Sequence, residues 1–149
     1  NPTLPSGYTI SAYVGAIRND GSSNIKAFVQ NGQFFDFGVM TQDRAAAASP
    51  TSPTNVTLTV PAINNIIAKL TWYVVSGGTS YWLIVNPSYG STTPTISNNN
   101  IATSIPGGAN QANSGTLLVP TNSSSQVLIN CTDTSDLTIN TLGWVDTNL

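Results

Sequence analysis

Apolar residues recur along this chain with a period of two rather than the helical 3.6, and clusters of polar turn formers interrupt them at short intervals. The longest instance is Ile66, Ala68, Leu70, Trp72 and Val74, which fall on one side of an extended segment, with Lys69, Thr71 and Tyr73 on the other. Val56, Leu58 and Val60 alternate in the same way with Thr57 and Thr59. Upstream, Tyr8 to Arg18 is rich in aromatic and β-branched residues, and Asn19-Asp20-Gly21-Ser22-Ser23-Asn24 ends it as a turn. Ile25 to Gln30 and Gln33 to Phe37 follow as two strands of an opening meander, joined at Asn31-Gly32 by a type I′ turn. Gly77-Gly78 predicts a hairpin turn whose return strand is Tyr81 to Val85. Gly115 to Val119, Ser125 to Cys131 and Leu137 to Val145 supply three more strands, with Asp133-Thr134-Ser135-Asp136 as a hairpin loop between the last two.

Two stretches depart from this pattern. Ala45 to Ala48 favours a short helical turn that Pro50 and Pro53 stop from growing. Pro87 to Asn113 is polar and contains Asn98-Asn99-Asn100 and Pro106-Gly107-Gly108. It is long for a structureless loop in a compact domain, so it is either functional or holds a further strand near Thr95 to Ile101. Short strands with polar turns predict an all-β fold, an antiparallel β-sandwich of jelly-roll type, ahead of a closed up-and-down barrel. Residues 1–149 form one domain on this reading. Its core draws on Val56, Leu58, Leu70, Trp72, Leu83, Val127, Ile129, Leu137 and Ile139.

Composition removes several function classes. Charged residues make up 7% of the chain and hydrophobic residues 40%. Ser, Thr and Asn supply roughly a third, so hydroxyls and amides must cover the surface that ionic groups usually cover. The four bases, Arg18, Lys26, Arg44 and Lys69, form no run, so no stripe exists to bind nucleic acid or an anionic membrane. No apolar run approaches the roughly 20 residues of a bilayer-spanning helix. The lone Cys131 lies in an apolar strand and excludes an intrachain disulfide. A start at Asn1 without Met reads as a fragment or processed product.

The candidate chemistry is sparse. The sequence contains neither His nor Glu, which removes His-activated nucleophiles and His metal sites. Of the six aspartates, Asp133 and Asp136 suit turn capping, although Asp146 would join them if the last strands were neighbours. Asp36 and Asp43 have no evident partner beyond Arg44. The expectation is a chain with no catalytic residue, cofactor or metal. The aromatics Trp72, Tyr73, Tyr81, Trp82, Tyr89 and Trp144 divide between core and sugar-stacking roles. Trp72 and Tyr73 must face opposite ways, as must Tyr81 and Trp82. Because loops on a rigid scaffold carry function disproportionately, Tyr89, Asn98, Asn99 and Asn100 are the candidate ligand contacts.

Two segments carry a resemblance. Leu4-Pro5-Ser6-Gly7-Tyr8-Thr9, followed by Val14-Gly15-Ala16-Ile17-Arg18-Asn19-Asp20-Gly21-Ser22-Ser23-Asn24-Ile25, resembles a module of bacteriophage and prophage tail-fibre-like and minor virion proteins. The closing Thr141-Leu142-Gly143-Trp144-Val145-Asp146 is similar to that module's usual ending. Gly38 to Asn113 matches nothing in it, and Ser11-Ala12-Tyr13 stands where the family usually carries basic residues. The resemblance implies the C-terminal part of a longer virion protein: a tail-fibre or tailspike tip, or a head fibre or decoration. It further implies a homotrimer on the particle surface, contacts with other virion proteins, and attachment to a host glycan or protein. A free-standing carbohydrate-binding module without catalysis is the alternative.

Overall fold

The order of the strands, more than their number, sets this fold. The computed structural model describes residues 22–76, 80–89, 102–105 and 110–149, together with 6, 17 and 19. The strands there are β1 (Phe28–Asn31), β2 (Phe34–Ala48), β3 (Thr54–Thr57), β4 (Ile66–Ser76) and β5 (Ser80–Val85), then β6 (Ala102–Ile105), β7 (Gln111–Pro120), β8 (Gln126–Cys131) and β9 (Asp136–Asp146). They form two antiparallel sheets with orders β1-β2-β9-β4-β7 and β3-β8-β5-β6. Among the described residues there is no α-helix, only a 3₁₀ turn at Pro87–Tyr89.

Early strands pair with late ones: β2 with β9, β3 with β8, and β4 with β7, while β5 pairs with β6. The chain crosses between sheets at most of its corners, and the two halves of this ribbon stay bonded through the bends. Ser49 N and Oγ both donate to Ser135 O at 2.7 Å, and Cys131 N donates to Pro50 O at 3.0 Å. At the next bend Leu58 N donates to Ser125 O at 2.8 Å, and Ser125 Oγ donates to Val60 O at 3.0 Å. Backbone groups that leave one sheet are thereby paired before they enter the other, as burial requires.

Two predicted hairpins are therefore corrected. β4 bonds to β7 and β9, and β5 to β6 and β8, so Tyr81 to Val85 does not return beside β4. Gly77-Gly78 lies outside the described residues. Asp133 to Asp136 likewise joins strands of different sheets. Alternation reveals which face of a strand is buried, but facing sheets satisfy it as well as neighbouring strands do.

Side chains from both sheets form one buried cluster that includes Val56, Leu70, Val74, Val127, Ile129 and Ile139. Trp72 of β4 packs edge-on against Trp82 of β5, centroids 4.8 Å apart at 84°, and so links the sheets. Trp72 itself is only half-buried, unlike the other expected core residues. Leu83 is buried but belongs to a second cluster with Val85 and Leu128. Both strands of this pair are buried on both faces, which is why Trp82 to Val85 and Val127 to Ile129 are continuous apolar runs.

Local register shifts complete the frame. Leu137, Ile139 and Thr141 of β9 point inward, yet so do Trp144 and Asp146. A bulge at Leu142 changes the parity, because Lys69 pairs with Gly143 while Leu70 pairs with Thr141. Trp144 then stacks on Phe35 at 4.6 Å and 5°, with Phe28 and Phe37 tilted around it. On the other side of β9, residues 37–40 of β2 bulge out between the pairs Asp36–Gly143 and Thr41–Thr141. The β1–β2 turn also differs from expectation. Asn31 pairs with Phe34, so Gly32-Gln33 are its central residues and only Gly32 has positive φ, the type II′ pattern. Ala45 to Ala48 is the end of β2, not helix, since pairing with Leu137 and Asp136 overrides alanine's weak preference.

Candidate functional site

The aromatic side chains sort cleanly. Trp82 and Trp144 are 2% and 1% exposed and belong to the core, so neither offers a sugar platform. Tyr73, next to Trp72, points the other way and is 47% exposed on the outer face of the five-stranded sheet. Tyr89 ends the 3₁₀ turn at Pro87–Tyr89, and the side chains of Tyr81 and Tyr89 lie outside the description. Asn98, Asn99 and Asn100 also lie outside the described residues.

The carboxylates do not converge. Asp136 and Asp146 occupy opposite ends of the 11-residue β9, about 33 Å apart along the strand, so Asp146 does not join Asp133 and Asp136. Asp133 caps its own loop, accepting from Thr134 N at 2.7 Å. Asp146 is fully buried and accepts from Asn148 N and Nδ2, both at 3.0 Å, which ties down the chain's last turn. Among the described residues no three His, Cys, Asp or Glu side chains come together.

Asp36 and Asp43 do have partners that sequence reasoning missed. Asp36 pairs with Lys69 at 2.7 Å on the outer face of the sheet. Asp43 sits at the register shift between the Gln42–Asn140 and Arg44–Ile139 pairs. There it accepts from Thr59 Oγ1 at 2.5 Å and from Thr141 Oγ1. Neither contact was legible, since each joins residues brought together only by sheet register. Cys131 is buried in β8, and burial pushes its thiol above its ordinary range, away from thiolate reactivity.

Two depressions lie among the described residues. The larger, about 600 Å³, lies where the β3–β4 and β7–β8 connections and the segment after β5 meet. Asn64, Asn65, Asn86, Asn122 and Ser88 contribute to its rim, and Ile67 and Pro120 to its walls. Its amides are mostly committed to their own loops. Asn122 Oδ1 accepts from Ser124 N and Gln126 N, Asn86 Oδ1 accepts from Ser88 N, and Asn65 Nδ2 donates to Asn148 Oδ1.

The smaller, about 350 Å³, lies on the outer face of the five-stranded sheet. Thr71 is paired with Thr116 on one side and Asn140 on the other, and Asn140 with Gln42. Directly opposed residues share a face, so a polar row crosses four strands. Tyr73 and Ser114 form the next row, and Met40, 56% exposed at the end of the β2 bulge, also lines the depression. Alternation made Tyr73's exposure legible; the rest of this face depends on strand order.

No protein-family model matches the chain, and no curated protein matches it.

Proposed function

We propose that this chain is a non-enzymatic surface module of a bacteriophage particle, folded as a β-sandwich of jelly-roll type, and that it serves attachment to the host surface. The strand order carries the reading. Sheets ordered β2-β9-β4-β7 and β3-β8-β5-β6 are what results when a double ribbon pairing β2:β9, β3:β8, β4:β7 and β5:β6 folds across itself. Eight strands in this arrangement support the jelly-roll reading, an architecture common to viral capsid and lectin domains. β1 extends one edge as a hairpin with β2. Function does not follow from architecture alone. The resemblance of residues 4–25 and 141–146 to phage structural modules adds the virion. The low charge adds a surface suited to self-association into a homotrimer and to contact with other virion proteins.

A free-standing carbohydrate-binding module is the second reading, favoured by the exposed Tyr73 beside Asn140 and Thr71. Adsorption tests the first. Excess purified chain should slow particle adsorption to host cells while leaving host surface polysaccharide intact. Release of reducing sugar from that polysaccharide would overturn the non-enzymatic reading, and unaltered adsorption would overturn attachment.

A further inference from the structure

The depression that Met40 lines combines features that ordinary sheet surface lacks. It has an exposed aromatic ring, an apolar Met side chain at its margin, and a row of amide and hydroxyl groups set at fixed spacing by three paired strands. From these we infer that the face formed by Tyr73, Thr71, Asn140, Thr116 and Ser114 is a binding site for a short neutral saccharide. This deepens the attachment reading and rests on it only for its biological setting.

The chemistry of the lining selects the ligand. Asn140 Nδ2 donates to Thr71 Oγ1 at 3.4 Å, which leaves its second N–H as donor and its Oδ1 as acceptor, and each Thr or Ser hydroxyl is both. A sugar's adjacent hydroxyls present the same mixed pattern, whereas a purely apolar ligand would strand these groups. The apolar side of a sugar ring needs an aromatic plane, which Tyr73 supplies with nearly half its surface open. The lining holds no charge. On this face Lys69 and Asp36 neutralise each other at 2.7 Å, and the exposed Asp136, opposite Val75 one row beyond Tyr73, adds a carboxylate. An anionic glycan would therefore lose hydration without gaining a cation. A peptide is less suited. Extended peptides bind by adding to an open sheet edge; one added at the edge strand β7 would lie beside it and leave Asn140, two strands inward, untouched.

The geometry also suits a short ligand. With strands about 4.8 Å apart, Thr116, Thr71 and Asn140 span roughly 10 Å, the scale of a disaccharide. The depression's 350 Å³ lies at the lower end of the roughly 300–1,000 Å³ usual for small-ligand sites. Residues on paired strands hold their positions better than loop residues do. A shallow open site binds weakly one copy at a time, so several copies on one assembly would provide the avidity that attachment needs.

The test is an NMR titration of the isotope-labelled chain with lactose, maltose, cellobiose and chitobiose, beside sialyllactose and a neutral tripeptide. The expected result is saturable shifts of the Thr71, Tyr73, Thr116 and Asn140 amides with at least one neutral disaccharide. Adding a sialic acid should bring no gain. Tyr73→Ala should weaken binding by about tenfold, and Tyr73→Phe, which keeps the ring, should largely preserve it. Signal dispersion in the same spectra reports whether each variant is folded. No response to any neutral disaccharide, a response only to the charged glycan or the tripeptide, or shifts confined to the Asn64, Asn65 and Asn122 groove would each overturn the site. Saccharide binding by a chain that is absent from particles would sink the virion reading alone, and a virion chain without such binding would sink this inference alone.

Discussion

Replacing Gly143 with alanine should destabilise the protein in a way that tests the β9 bulge directly. A Cβ built at Gly143 falls on the carbonyl oxygen of Phe35, 2.9 Å from Asp36 Cα and 3.0 Å from Phe35 C. All three are backbone atoms of β2, so no side-chain rotation relieves the contact. β2 must move away from β9, and the Phe35–Trp144 stack at 4.6 Å moves with it. Forcing a methyl group into packed structure costs about 1–3 kcal/mol, and a backbone neighbour places this case in the upper half of that range. At this chain length each kcal/mol lowers the melting temperature by about 2–4 °C, so the fall should be roughly 4–12 °C. Gly38 provides the control, because a Cβ there meets nothing within 4 Å and Gly38→Ala should change stability by no more than about 0.5 kcal/mol. Calorimetry and urea titration of both variants read the difference. Equal melting temperatures would show that β2 and β9 do not approach closely at Gly143.

Three further outcomes follow from other parts of the structure. Asp43→Ala should cost about 1–3 kcal/mol in urea titration, because the fully buried Thr141 hydroxyl and that of Thr59 lose their acceptor. Unchanged stability would mean those hydroxyls do not depend on it. Cys131 should resist thiol reagents at neutral pH in the native protein and react fully once unfolded; fast native labelling would contradict its burial. Light scattering on the purified protein should give a trimer, and a clean monomer would remove that part of the proposal.

The sequence's legibility followed the range of the forces involved. Period-2 alternation located the inward faces of β4 and of the first half of β9, because burial of one face acts residue by residue. It mistook β5 for the neighbour of β4, since local pattern does not encode the sheet in which a strand lies. Trp144 turns inward through the bulge at Leu142, which no alternation rule anticipates. Ala45 to Ala48 misled because alanine's preference is small beside the pairing that a long neighbouring strand offers. The site divided in the same way. Tyr73 was readable as the outward partner of Trp72, but Asn140, Thr116 and Met40 join it only through strand order and the β2 bulge.

The central claim is that this chain is displayed on a phage particle. Immunogold labelling of gradient-purified particles, with antibodies raised against residues 110–149, tests it most directly. Gold is expected at a regular position on intact particles, at tail tip or capsid surface, with the protein co-sedimenting with them. Unlabelled particles, with the protein confined to the soluble fraction of the lysate, would contradict it.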